Sequence, residues 1–117
     1  MTVKRIVANI AVADIAPARD FYEGVLGLRL VMDHGWLQTF ATDGSARPQV
    51  SIATEGGSGA PVPDLSIEVD DVDGVYAVVR ARGIAVEYGP ADEPWGVRRF
   101  FVRDPFGRLL NILEHAR

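Results

Sequence analysis

Five of the predicted strands each carry a polar side chain that suits ligand binding. They are amides and hydroxyls rather than charged groups: Asn9, Gln38, Ser51, Ser66 and Asn111. Such groups form hydrogen bonds without the large cost of burying a charge. Two charged residues join them. Asp64 could be a general base or hydrogen-bond acceptor, or a solvated strand start just after Pro63. Arg99 could pair with a ligand carboxylate or phosphate, or form a surface ion pair.

Aromatic side chains could supply the apolar walls of the same site. The four candidates are Trp36, Phe40, Trp95 and Phe101. Stacking of such a ring on a planar ligand is worth about 0.5–1.5 kcal/mol beyond the area it buries. The alternative is that the two tryptophans fill a cleft or a subunit interface.

The composition excludes several classes of protein. The 117 residues, 48% hydrophobic and 24% charged, are typical of a globular chain with one domain or two small modules. Without cysteine there are no disulfides, thiol nucleophiles or thiolate metal sites. A net charge of −4 without a basic run argues against nucleic-acid binding. No apolar run approaches the roughly 18 residues that span a membrane, and no signal-peptide pattern precedes the first strand, so we expect a cytoplasmic protein with no membrane contact.

The elements that must position the candidate residues occur twice. A strand–Asp–helix pattern at 10–27 returns at 67–83, so that Asp14 aligns with Asp71. The pattern predicts that Asp14 caps a first helix that ends at Gly27, and that an acidic run caps a second over 72–82. A Gly/Pro-rich linker at 58–63 separates residues 1–57 from residues 64–117. We predict an α+β fold in which two tandem βαβββ modules, with curved mixed sheets, enclose a cleft.

In the second module, a turn fixes the expected strand register. Residues 104–107 have Pro at the second position and Gly at the fourth, which predicts a tight hairpin. This hairpin pairs Phe101 with Asn111 and Arg99 with Leu113. Because strand side chains alternate, these residues share the sheet face that the helix does not cover, here called the non-helix face.

In the first module, a two-residue turn at 34–35 predicts the register of a second hairpin. It places Trp36, Gln38 and Phe40 on the non-helix face together with Asn9 and Ser51. The same register puts Met32 and Leu37 on the helix face, where alternation also places Ile6 and Ile10. The two histidines, His34 in the turn and His115 near the C-terminus, are predicted to be surface residues.

The paired motifs resemble a known superfamily. They are the opening segment from Asn9 to Leu28, with Asp14 and Phe21-Tyr22, and the closing segment with Asp104-Pro105-Phe106-Gly107. Together they resemble the vicinal oxygen chelate superfamily, which holds glyoxalase I, extradiol dioxygenases, fosfomycin-resistance enzymes and bleomycin-resistance proteins. The resemblance covers essentially the whole chain and implies the paired βαβββ fold.

The resemblance also implies where a metal would bind in metal-dependent members. The four family ligand positions are occupied here by Val7, Ser51, Asp64 and Asn111. Members that chelate metal usually place His, Glu or Gln there. Valine supplies no donor, hard cations need several oxygens with negative charge, and borderline metals prefer imidazole. We therefore expect no catalytic metal and no cofactor.

A second likeness narrows the prediction. The segment 93–96, Glu-Pro-Trp-Gly, resembles the Pro-Trp-Gly segment of bleomycin-resistance proteins, which are metal-free homodimers that hold a drug in clefts formed by both subunits. We predict a homodimer that binds an aromatic or amphipathic small molecule for drug sequestration or self-resistance. The alternatives are a metal-dependent lyase or dioxygenase with atypical ligands, a metal-free isomerase or cyclase with Asp64 as base, and a sensing module without chemistry.

Overall fold

A computed structural model describes residues 1–44 and 48–116. Its strands are β1 (Val3–Ala11), β2 (Arg29–Asp33), β3 (Leu37–Ala41), β4 (Gln49–Ala53), β5 (Leu65–Val69), β6 (Val86–Glu93), β7 (Val97–Arg103) and β8 (Leu109–His115). A π-helix spans Asp20–Val25, and α1 spans Val72–Ala81. The chain divides into an N-terminal unit, Val7–Val62, and a C-terminal unit that combines Met1–Ile6 with Pro63–Arg117.

Within residues 1–44 and 48–116, each unit contributes one helix and four neighbouring strands of mixed direction. In the N-terminal unit the strand order is β2-β3-β4-β1, with β1 and β4 parallel and the other neighbours antiparallel. In the C-terminal unit the order is β5-β8-β7-β6, with β5 and β8 parallel. Both units run strand, helix, then three strands, and the predicted α+β class is confirmed.

The helix of the C-terminal unit forms as its sequence predicts. The Asp71 carboxylate accepts a hydrogen bond from the Gly74 amide, and Glu114 accepts one from the Val72 amide, so two of the first-turn donors are satisfied. Gly83 follows the helix with a φ of +72°. The helix contributes its own buried Val72 to the core and covers buried apolar residues on β5, β7 and β8: Val69, Phe100, Val102 and Ile112.

The helical segment of the N-terminal unit differs from its prediction. The Asp14 carboxylate accepts a hydrogen bond from the Ala16 amide 3.0 Å away and so closes a local turn instead of capping a helix. The π-helix begins later, and Arg19 at its N-cap position makes no side-chain capping bond. The predicted helix end is right, because Gly27 takes a φ of +71°.

The register of the C-terminal hairpin is confirmed. Asp104 and Arg108 close the turn, where the Gly107 amide donates to the Asp104 carbonyl at 3.1 Å. Phe101 pairs with Asn111, and Arg99 pairs with Leu113. Arg99, Phe101 and Asn111 therefore share the non-helix face.

The register predicted for the N-terminal hairpin is wrong. The turn is closed by His34 and Leu37, whereas the prediction had Asp33 and Trp36 close it. A bulge between Leu30 and Met32 then shifts the pairing of β2 with β3. Phe40 consequently pairs with Val50, on the helix face, where it packs against Tyr22. A change of one residue in register moves every side chain to the opposite face.

The same shift corrects several individual positions. Gln38 pairs with Ile52 on the helix face. Met32 pairs with Thr39, and Leu37 pairs with Ala53, so these residues lie on the non-helix face.

The helix face of β1 is less covered than alternation predicts. Ile6 is 58% exposed and Ile10 is 43% exposed. In the N-terminal unit, the apolar residues around the π-helix pack against Phe40 and Ile52 on β3 and β4, and Ile10 does not belong to that cluster. The short helix therefore covers only part of its sheet.

The corrected register predicts which large-to-small substitution disturbs the core. We expect Phe40→Ala to lower the free energy of unfolding by about 3–5 kcal/mol, because it empties a fully buried site under the helix. Leu37→Ala, on the opposite face and only half-buried, should cost less. Urea denaturation compares the two variants, and a larger loss for Leu37→Ala would contradict the observed pairing.

Candidate functional site

A row of four side chains crosses the non-helix face of the C-terminal unit. Strand pairing aligns Tyr88 with Phe101, Phe101 with Asn111, and Asn111 with Ser66. The two rings lie 5.2 Å apart at an interplanar angle of 50°. Phe101 is 1% exposed and Asn111 is 8% exposed, whereas Tyr88 and Ser66 are half-buried. The two central residues of the row are thus buried, and the residue at each end is more accessible.

The two polar atoms of the Asn111 amide differ in hydrogen bonding within the described residues. Its Nδ2 donates to the Ser66 hydroxyl oxygen at 3.2 Å. Its Oδ1 is buried and has no hydrogen-bond partner within residues 1–44 and 48–116. A buried acceptor without a partner costs about 1–3 kcal/mol, so such a group is expected to have a role that offsets this cost.

Arg99 lies in the neighbouring row and is paired within the protein. Its Nη2 lies 2.7 Å from Glu93 Oε2, and the two side chains are only 3% and 5% exposed. Its guanidinium carbon is 4.8–5.2 Å from the ring centroids of Tyr88, Trp95 and Phe101. Arg99 is therefore neither an exposed ligand contact nor part of a surface ion pair, and it fixes the aromatic rings around it.

Glu93 connects this ion pair to the row. Its second oxygen, Oε1, accepts a hydrogen bond of 2.9 Å from the Tyr88 hydroxyl. Neither Tyr88 nor Glu93 was predicted to be a site residue. The position of Glu93 immediately before Pro94-Trp95 was the available signal.

A second charged cluster borders the row on β5. Glu68 lies 3.0 Å from Arg5 Nε and 3.0 Å from His115 Nδ1. Partial burial would raise the pKa of the Glu68 carboxyl, but the hydrogen bond to His115 and the charge of Arg5 outweigh it and lower the pKa overall. His115 belongs to β8, and its side chain is 38% exposed, in keeping with the predicted surface position; its contact with Glu68 was not predicted.

The N-terminal unit presents a different polar set on its own non-helix face. Strand pairing aligns Asn9 with Ser51 and Ser51 with Thr39. The hydroxyl oxygens of Thr39 and Ser51 are buried and lie 2.8 Å apart, within hydrogen-bond distance. Thr39 was not predicted to be a site residue, because the predicted register placed it on the helix face.

Three predicted binding residues of the N-terminal unit do not join this set. Phe40 lies in the core, and Gln38 lies on the helix face with its Nε2 3.4 Å from Asp33 Oδ2. Trp36 lies between β2 and β3, where its ring stacks on His34 at a centroid distance of 5.6 Å. Their predicted common position on the non-helix face is corrected by the observed pairing.

The donor groups at the family metal positions do not fit a catalytic divalent ion. In the N-terminal unit, the Val7 side chain has no atom that could ligate a metal, and the Ser51 hydroxyl is hydrogen-bonded to that of Thr39. In the C-terminal unit, Asp64 is exposed and its Oδ2 accepts a hydrogen bond of 2.9 Å from the Leu109 amide. No group of three or more His, Asp or Glu side chains suited to a metal occurs in the part of the chain that the structure describes.

Comparison with known proteins identifies the family. The model of the Glyoxalase family, described as the Glyoxalase/Bleomycin resistance protein/Dioxygenase superfamily, matches residues 3–112. The chain belongs to this superfamily. The strand order of each unit agrees with the glyoxalase fold. A search of curated proteins finds none that matches.

Solved structures show how widely this glyoxalase-superfamily fold is shared. A protein from Legionella pneumophila named NAD-dependent benzaldehyde dehydrogenase has a TM-score of 0.75 and 17% identity, over 95% of this chain and 99% of its own. Methylmalonyl-CoA epimerase from Mycobacterium tuberculosis gives 0.65 and 21%, over 98% and 88%. A glyoxalase/bleomycin resistance protein/dioxygenase superfamily member from Vibrio splendidus 12B01 gives 0.62 and 20%, over 97% and 99%. At these identities the likeness establishes the fold and no substrate.

No helix among residues 1–44 and 48–116 is long and apolar enough to cross a membrane.

The buried ion pair predicts that removing one partner destabilises the fold more than removing both. We expect Arg99→Met to lower the free energy of unfolding by about 3–5 kcal/mol, because the Glu93 carboxylate is then buried without its counter-charge. Arg99→Met/Glu93→Leu should recover most of this loss. Arg98→Met is the control, since its partners Asp73 and Asp92 are exposed and such pairs are worth about 1 kcal/mol or less. Urea denaturation of the variants measures these differences, and a double variant as unstable as Arg99→Met would contradict this account.

The lowered pKa of Glu68 predicts how stability depends on pH. Because the folded-state pKa is below the unfolded value of about 4.3, the stabilisation is present above that value and is lost as the pH falls through the folded-state pKa. We expect wild type and Glu68→Gln to differ in unfolding free energy at pH 6 and to converge in acid. Urea denaturation between pH 3 and pH 7 gives both curves, and a constant separation would exclude the ionised carboxylate as the cause.

Proposed function

We propose that this superfamily member binds an aromatic or amphipathic small molecule without a metal, on the non-helix face of its C-terminal unit. The observation that carries the proposal is the row Tyr88–Phe101–Asn111–Ser66, in which a buried aromatic ring adjoins a buried amide with an open acceptor. Small-molecule sites typically combine apolar walls with a few placed polar groups.

The half-buried rings of Tyr88 and Trp95 are the aromatic groups of this site that a ligand could reach. Trp95 is partly exposed, and the Arg99 guanidinium lies 4.9 Å from its ring centroid. A ring held in this way loses little conformational entropy when a planar molecule stacks on it, which favours binding. Stacking on Trp95 and hydrogen bonding to the row would together retain such a ligand.

Binding alone would suffice for the biological role that we propose, which is sequestration of a toxic compound such as an antibiotic. Sequestration needs only a dissociation constant below the working concentration of the compound and enough protein to hold it. A general base is not required. Asp64, the candidate base, is an exposed strand start whose Oδ2 accepts from the Leu109 amide. Homodimer formation remains a prediction, which analytical ultracentrifugation would test.

A ligand titration with and without chelator tests the proposal. Tryptophan fluorescence is followed while planar aromatic antibiotics are added, once in EDTA and once with added Ni²⁺, Mn²⁺, Zn²⁺ or Fe²⁺. We expect the same dissociation constant in all conditions, because the family ligand positions lack a suitable donor set. Binding that appears only with a metal would reject the proposal and favour the metal-dependent alternative.

Substitution of the exposed ring should weaken this binding. We expect Trp95→Leu to raise the dissociation constant about two- to ten-fold, since one stacking contact contributes about 0.5–1.5 kcal/mol. Trp36→Leu, in the other unit, is the matched variant and should change it less. Isothermal titration calorimetry reports both without relying on fluorescence, and a larger loss in Trp36→Leu would move the site to the N-terminal unit.

A further inference from the structure

The open acceptor of Asn111 and the paired charges beside it restrict the chemistry of the ligand. This inference rests on the proposed function, because it concerns the same row on the C-terminal unit. We infer that the ligand carries no anionic group where it meets the row and presents an N–H or O–H donor to Asn111 Oδ1.

The donor requirement follows from the geometry of the amide. Ser66 satisfies Nδ2, while Oδ1 is buried and unpartnered in the described part of the chain. Neighbouring Phe101 supplies a ring and no polar atom, and Leu113 and Leu109 beside Asn111 on the same strand face are aliphatic. A ligand with a donor would satisfy this oxygen, whereas a ligand without one would leave it buried and unpaired. Sites built around such a group discriminate strongly against analogues that lack the matching partner.

The exclusion of a ligand anion follows from the charged groups that border the row. Arg99 is paired with Glu93, and Glu68 is paired with Arg5 and lies 3.0 Å from His115 Nδ1. On the other side of the row, Arg103 is paired with Glu87. A ligand carboxylate or phosphate would lose its hydration here and would have to compete with Glu93 for Arg99. The alternative in which Arg99 receives a ligand anion is thereby replaced by a preference for a ligand without an anionic group.

Three probes that share one phenyl ring test both parts of the inference. Benzamide has a ring and an N–H donor, N,N-dimethylbenzamide keeps the ring and lacks the donor, and benzoate replaces the amide with an anion. Titrations are followed by chemical-shift changes in ¹H–¹⁵N spectra of the wild-type chain. We expect benzamide to bind about ten-fold or more tightly than either of the others.

The variant Asn111→Leu shows whether this preference comes from the open amide. In this variant we expect benzamide and N,N-dimethylbenzamide to bind equally well. Equal binding of the two amides to wild type, a preference for benzoate, or a preference that survives in Asn111→Leu would each overturn the inference. Failure of all three probes and of the planar antibiotics would reject the proposed function itself, whereas binding without donor preference would reject only the inference.

Thermal stability gives a second readout that needs no ligand. If Asn111 is kept for binding, then Asn111→Leu should raise Tm by about 4 °C, because it removes a buried unsatisfied acceptor and fills the same space with apolar atoms. Ser66→Ala is the control and should not raise Tm, since it removes the partner that Asn111 already has. Asn111→Ala serves if the leucine does not fit. A fall in Tm for both Asn111 variants, with binding of the probes unchanged, would show a purely structural role.

Discussion

The buried guanidinium of Arg99 constrains the backbone as well as the side chains of the C-terminal unit. A buried cation needs a counter-charge at hydrogen-bond distance, and Glu93 at the end of β6 supplies it. To bring Tyr88 and Glu93 to the same cation, β6 shifts its register against β7 between Tyr88 and Ala91. Gly89 lies in that shift with a φ of +77°, and a Cβ there would collide with the carbonyl oxygen of Arg99. Strand bulge, ion pair and aromatic packing thus depend on one another.

The C-terminal unit could be predicted closely from its sequence because its local signals agree with one another. The Asp-Pro-Phe-Gly turn allows one register, which brings Phe101 and Asn111 side by side as expected. The Asp71 cap and the Gly83 stop define the helix. The arrangement around Arg99 was not predictable, since its partner lies on a strand whose irregular register no simple alternation describes.

In the N-terminal unit, the local signals leave the strand register undetermined. The turn between β2 and β3 offers two closures that differ by one residue on each side, and the bulge after Leu30 cannot be seen in the residue types. Phe40 was therefore assigned to a ligand wall although it belongs to the core. Asp14 and Asp71 occupy equivalent places in the repeat, yet only Asp71 caps a helix, because Asp14 uses its carboxylate in the preceding turn.

The first strand of the chain is shared between the two units, and this has a topological consequence. Residues 1–6 belong with the C-terminal unit, where Thr2 exchanges hydrogen bonds with Asp70 and Arg5 pairs with Glu68. Neither half of the gene, divided at the linker, would therefore encode a whole folding unit. A fragment from residue 63 onward would lack the strand segment 1–6, which only the other fragment carries. The two halves should therefore act as complementing fragments by strand donation. A circular permutant that moves residues 1–6 to the C-terminus would place this segment directly after residues 63–117 in the chain.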